Sequence, residues 1–326
     1  MKLKALSSLL VFCAGLCLPV RADEKSSPAT PETADAAKKE LPNYVRIAED
    51  KESTRLEVAA KTFLLPGGQT VELLGVVHIA DAAYYDLLDK RFTGFDTVLY
   101  ELVGDPARVT APVETRHEPS GLGKLQGMMS RGLDLVFQLD CIDYTQPNMV
   151  HCDATGEEFA KMQAERGESM MQLIVRSMQV QLNGQLDVEM GDLQKELDLG
   201  GLLRIFLSKD SASEFKIILA RMFDKAESMT AKLEGEGGSA ILADRNALVV
   251  KKLKETLKDA ARKKISIFYG AAHMPGIEAA LLKELKAERG AEEWLTAWKM
   301  RPPLVKADAP TAEDATSKSE KTEKAP

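Results

Sequence analysis

Two of the chain's four histidines close the same tetrapeptide, Gly75-Val-Val-His78 and Gly270-Ala-Ala-His273. An imidazole can ligate a metal through either ring nitrogen or carry a proton near neutral pH. The glycine three residues earlier lets another group come close to the backbone. Glu101, just after Thr97-Val-Leu-Tyr100, adds a carboxylate that is costly to bury without a partner. Two imidazoles and one carboxylate leave positions open for water and substrate, the usual arrangement of a hydrolytic metal centre. In such a centre His78, His273 and Glu101 are the candidate ligands, and Glu101 serves either as ligand or as general base. Arg245 is the fourth candidate. Positions 245, 249, 253 and 257 share one helix face, and the last three are Val, Leu and Leu. A guanidinium there would steady a developing oxyanion or orient Glu101. The structural alternative pairs Arg245 with Asp244 or Glu236 and makes His78, His273 and Glu101 ordinary strand-end residues. His117 lies in a polar, proline-flanked stretch and reads as a surface residue. His151-Cys-Asp153 has metal-binding residue types, but neighbours on a strand point to opposite faces.

The elements that must position these residues follow from apolar periodicity. Leu56 to Leu65 and Val71 to Val77 read as strands, with Pro66-Gly-Gly-Gln-Thr70 as the hairpin turn between them. A helix follows His78, with Ala80, Ala83, Tyr84, Leu87 and Leu88 at helical spacing. Thr97 to Leu102 is the next strand, so the unit is βαβ and its two strands are expected to be parallel neighbours. Further on, Leu122 to Phe137 reads as helix, Asp140 to Tyr144 as extended, and Asn148 to Asp153 as a strand. Thr155 to about Leu233 reads almost entirely as helix, opened by a Thr155/Glu158 capping box. Ile241 to Lys263 is the last long helix, Lys264 to Gly270 a buried strand, and Trp294 to Trp298 a short terminal strand. The fold class expected is therefore α/β: a largely parallel central sheet of βαβ units with a large helical insertion at about 155–235.

Residues 1–22 carry Lys2 and Lys4 before an apolar run from Leu6 to Val20, and Val20-Arg-Ala22 suits a signal peptidase. The expected location is extracytoplasmic. Loss of Lys2, Lys4 and Arg21 takes the formal charge from −7 to −10, which argues against nucleic acid as a partner. No later stretch is long and apolar enough to span a membrane. Residues 23–42 and 304–326 are polar and aperiodic and read as disordered, leaving 43–303 as the globular part. Cys141 and Cys152 remain in the mature chain, to pair as a disulfide or stay buried as thiols. The methionines of the helical middle fill a core or mark an adaptable surface, and the same region is a candidate contact for a second copy of the chain.

Gly75-Val-Val-His78, Leu99-Tyr-Glu-Leu102, Asp244-Arg-Asn246 and Gly270-Ala-Ala-His273, in this order, resemble the TraB/PrgY/GumN family, to which the Tiki metalloproteases belong. The resemblance spans roughly residues 50–300. It implies an erythromycin-esterase/ChaN-like α/β core, and active-site roles for His78, Glu101 and His273 with Arg245 in support. For Tiki-like members it further implies a peptidase using Mn2+ or Co2+, with Zn2+ as a third candidate, acting on a peptide or protein. The pheromone-shutdown branch suggests a non-catalytic peptide-binding protein instead, and ChaN-like proteins suggest a metal or haem carrier. Tiki proteins carry a C-terminal membrane anchor, whereas this chain ends in a charged tail.

Overall fold

The structure, a computed structural model, describes residues 42–111, 133–167, 211–234 and 239–300. The predicted signal peptide, the tail, His117 and the centre of the 155–235 insertion lie outside these residues. The fold is mixed α/β. Its strands are β1 (Val45–Glu49), β2 (Thr54–Leu64), β3 (Thr70–Val76), β4 (Ile79–Ala80), β5 (Thr97–Tyr100), β6 (Val136–Phe137), β7 (Met149–His151), β8 (Lys264–Gly270) and β9 (Glu288–Met300). Its longer helices are α1 (Ala82–Phe92), α2 (Gly156–Glu165), α3 (Ser211–Glu234), α4 (Arg245–Thr256) and α5 (Met274–Glu284). Seven strands form the main sheet, and β4 pairs with β6 separately.

The parallel half of the sheet runs β3-β8-β5-β7. Strand β8 takes its centre because Ile265, Ser266, Ile267, Phe268 and Tyr269 are all fully buried, the mark of a parallel strand covered on both faces. Here the expectation that the His78 and Glu101 strands are neighbours fails. They are parallel, but β8 lies between them, and Ile267 stands opposite both Leu73 and Leu99. A run with no polar face must go to the middle, so the α1 crossover spans one strand. Phe92 of α1 meets Phe268 of β8 edge to face at 4.9 Å between centroids. The other half is antiparallel. The β2–β3 hairpin sets Leu64 opposite Thr70, with Gly68 of its turn at φ 76°. β9 pairs along nearly the whole of β2.

Several local expectations change. Val136 and Phe137 are a strand rather than a helix end, because they pair with Ile79 and Ala80. Gln138–Cys141 is one helical turn where Asp140 to Tyr144 was expected to be extended. Helix α4 ends at Thr256, well short of Lys263, and the terminal strand is 13 residues long. Thr155 does cap α2, with Glu158 completing the box. The described ends of the expected insertion, α2 and α3, are helical. Cys141 and Cys152 are free thiols.

Candidate functional site

Four adjacent parallel strands deliver one polar side chain each at their carboxyl ends. His78 follows β3, His273 follows β8, Glu101 follows β5 and Asp153 follows β7. That edge is where ligands bind in open α/β sheets. His78 is exposed, yet three successive carbonyls around it are fixed from three elements. Tyr85 Oη of α1 donates to Val77 O at 2.9 Å, Gln138 N donates to His78 O at 3.0 Å, and Trp298 Nε1 of β9 donates to Ile79 O at 2.7 Å. His273 ends a 3₁₀ turn, Ala271–His273, that leads into α5 with Pro275 in its first turn.

The groups meet around Gly270. A Cβ built there would stand 3.2 Å from Glu101 Oε2, 3.4 Å from His78 Nε2 and 3.7 Å from His273 Cδ2. The equivalent glycine of the other tetrapeptide has a different task. A Cβ at Gly75 would meet Ala271 Cβ and Tyr44 Cδ1, both at 3.4 Å, so that glycine serves close packing. Gly270 N donates to Glu101 Oε2 at 2.5 Å, and His273 Nε2 is 3.4 Å from Glu101 Oε1. Each imidazole also has an amide behind it: Gln138 Oε1 is 2.9 Å from His78 Nδ1, and Asn246 Oδ1 is 2.7 Å from His273 Nδ1.

Arg245 enters from the start of α4, just after the π-helical turn Ala240–Asp244. It is 6% exposed and does not pair with Asp244, which is held by Arg166. Its Nε and Nη2 grip Asp153 Oδ1 and Oδ2 at 2.8 and 2.6 Å, and Nη2 also donates to Glu101 Oε1. Nη1 donates to Ile241 O at 3.3 Å and to His273 Nε2 at 3.2 Å. A guanidinium has five N–H donors, and all five are engaged. None is left to face an oxyanion, so the arrangement favours the other expected role, orienting Glu101. Burial works against the charge on Arg245, but Asp153 and Glu101 outweigh it and push its pKa up. For Glu101 burial is the largest influence and acts upward. The polar and positive groups packed around the carboxylate, Arg245 among them, overcome it, holding the carboxyl well below the ordinary carboxylate range.

Asp153 is the site residue that the sequence reading passed over. Its side chain is fully buried and it also accepts from Ala154 N at 2.8 Å. The neighbours that drew notice are elsewhere: His151 Nε2 donates to Leu102 O at 2.7 Å, and the Cys152 thiol lies 3.5 Å from Tyr269 Oη. A signal did exist, since Asp153 closes the predicted strand Asn148 to Asp153 much as Glu101 lies at the end of Thr97 to Leu102.

Two imidazole nitrogens and a carboxylate suit a divalent cation. The 3.4 Å between His273 Nε2 and Glu101 Oε1 is about the edge of a tetrahedral site with ligands near ~2.1 Å. Among the described residues, no three His, Cys, Asp or Glu side chains already form a group able to hold a metal ion. The single lone pair of His273 Nε2 is taken by Arg245, so an ion would take it in the arginine's place. Among the described residues no helix is long and apolar enough to cross a membrane. No family model matches the chain, and no significant match is found among curated proteins or solved structures.

Proposed function

We propose that the chain is an extracytoplasmic metal-dependent hydrolase acting on a peptide or protein, with the erythromycin-esterase/ChaN-like core of the TraB/PrgY/GumN resemblance. The observation that carries this reading is the convergence of His78, Glu101 and His273 on Gly270. His78 Nε2, His273 Nε2 and the Glu101 carboxylate would hold the ion, Mn2+ or Co2+ on the resemblance and Zn2+ on the donor set. Bound there, a divalent ion supplies a Lewis acid that polarises a carbonyl and acidifies a water. Glu101 serves there either as ligand or as general base. Arg245 keeps Glu101 ionised and in place, and Asp153 neutralises and anchors Arg245. His78 is the exposed member of the three, so substrate reaches the site from its side. The contact of Arg245 with His273 Nε2 favours a second reading, a pocket that binds a peptide without cleaving it.

A peptide-library cleavage assay with added Mn2+, Co2+ or Zn2+ separates the two. Cleavage that is abolished in His78→Ala, His273→Ala and Glu101→Gln supports the hydrolase. Peptide binding without cleavage under every metal supports the binder.

A further inference from the structure

We infer that Gln138 and Asn246 are positioning residues that set both site imidazoles in the Nδ1–H tautomer, leaving Nε2 as the unprotonated nitrogen of each ring. The argument is clearest at His273. Asn246 Nδ2 lies 3.4 Å from His273 O, and Asn246 Oδ1 lies 2.7 Å from His273 Nδ1. A carbonyl only accepts, so the amide nitrogen must face it and Oδ1 must face the ring. An amide oxygen also only accepts, so Nδ1 carries the proton. Arg245 gives the same answer independently. Its Nη1 is 3.2 Å from His273 Nε2, and a guanidinium only donates, so Nε2 is unprotonated.

At His78 the amide is held at both ends. In the structure Gln138 Nε2 faces Tyr144 Oη at 2.9 Å and Oε1 faces His78 Nδ1 at 2.9 Å, the orientation in which Nδ1 carries the proton. Gln138 is 2% exposed, and its own N–H is bonded to His78 O. Ring and backbone of His78 are therefore fixed by one residue. Gly276 belongs to the same device. A Cβ there would stand 2.5 Å from Asn246 Nδ2, so the amide reaches His273 through the notch that this glycine leaves in α5. Which ring nitrogen is free is decided by the hydrogen bond at the other, and partners of this kind commonly hold metal-binding histidines. The tautomers stand on hydrogen bonding alone; their use in binding an ion rests on the function proposed above.

Nitrogen-15 NMR of the imidazole rings in the purified, metal-free protein tests this directly. The wild type is expected to show Nδ1–H at His78 and His273. His151, whose Nε2 donates to a carbonyl, gives the opposite pattern as an internal contrast. Gln138→Leu should release the His78 tautomer alone; at His273, where Arg245 Nη1 still faces Nε2, Asn246→Leu or Gly276→Ala should leave Nε2 unprotonated but free the ring to turn. Gln138→Glu and Asn246→Asp keep an acceptor and should keep the tautomer. Mn2+ affinity should fall roughly 10- to 100-fold in the leucine variants. Protonated Nε2 in the wild type at either histidine overturns the inference, with no variant needed. So does an unchanged His78 tautomer in a folded Gln138→Leu variant. The expected tautomers in a protein that binds no Mn2+, Co2+ or Zn2+ uphold the inference and refute the metal reading instead.

Discussion

Gly270→Ala separates site geometry from fold stability. The glycine has φ −50° and ψ 137°, a conformation open to alanine, so the backbone carries no strain on substitution. The added methyl would press on Glu101 Oε2 at 3.2 Å, a few tenths of an ångström inside ordinary contact, with His78 Nε2 at 3.4 Å. The overpacking cost should fall at the low end of the usual range, about 1 kcal/mol, or roughly 2–4 °C in melting temperature. The functional cost should be larger, because the methyl fills the point on which the three candidate ligands converge. A loss of more than about tenfold in Mn2+ affinity, equivalent to ~1.4 kcal/mol, is expected by calorimetric titration. Gly75→Ala is the matched control: its methyl meets Ala271 and Tyr44 at 3.4 Å, so it should lower the melting temperature while leaving ion affinity unchanged. Wild-type affinity in Gly270→Ala, or equal losses in the two variants, would refute the division of labour between the glycines.

Asp153→Asn should destabilise by about 3 kcal/mol, since it leaves Arg245 buried with Glu101 as its one remaining carboxylate; a melting drop of roughly 6–12 °C is the readout. The pH dependence follows from Glu101, whose folded pKa lies below its ordinary 4.5. The stability it contributes is complete above that value and is lost as pH falls below it toward the depressed pKa. Urea midpoints should thus drop more steeply below pH 4.5 in the wild type than in Glu101→Gln. Alkylation of the native protein followed by peptide mapping should label Cys141 before Cys152, which is buried with its thiol pushed up to about 12 by burial. A Cys141–Cys152 disulfide peptide would contradict the structure.

Much of the site was legible because each of its strands carries a local signal. His78, Glu101 and His273 follow apolar runs that end abruptly in a polar residue, and Arg245 heads an apolar helix face. What escaped depends on contacts between distant segments. The place of β8 between β3 and β5 is decided by burial of both its faces, and periodicity within the βαβ unit cannot register a strand that arrives 160 residues later. Gln138 gives no local sign at all, since its role lies in its contacts with His78 and Tyr144. Asp153 was hidden by its more conspicuous neighbours, although its position after β7 repeats the pattern that marked Glu101. The structural alternative that paired Arg245 with Asp244 fails for a related reason. Asp244 is adjacent in sequence but is claimed by Arg166, while the buried guanidinium turns to carboxylates from β5 and β7.

The central claim is that His78, Glu101 and His273 form one cation site. Electron paramagnetic resonance titration of Mn2+ into the purified protein, repeated for His78→Ala, His273→Ala and Glu101→Gln, tests it most directly. One tightly bound equivalent in the wild type, lost in all three variants while their circular dichroism stays native, is the predicted result. No bound ion in the wild type, or undiminished binding in any one variant, would contradict the account.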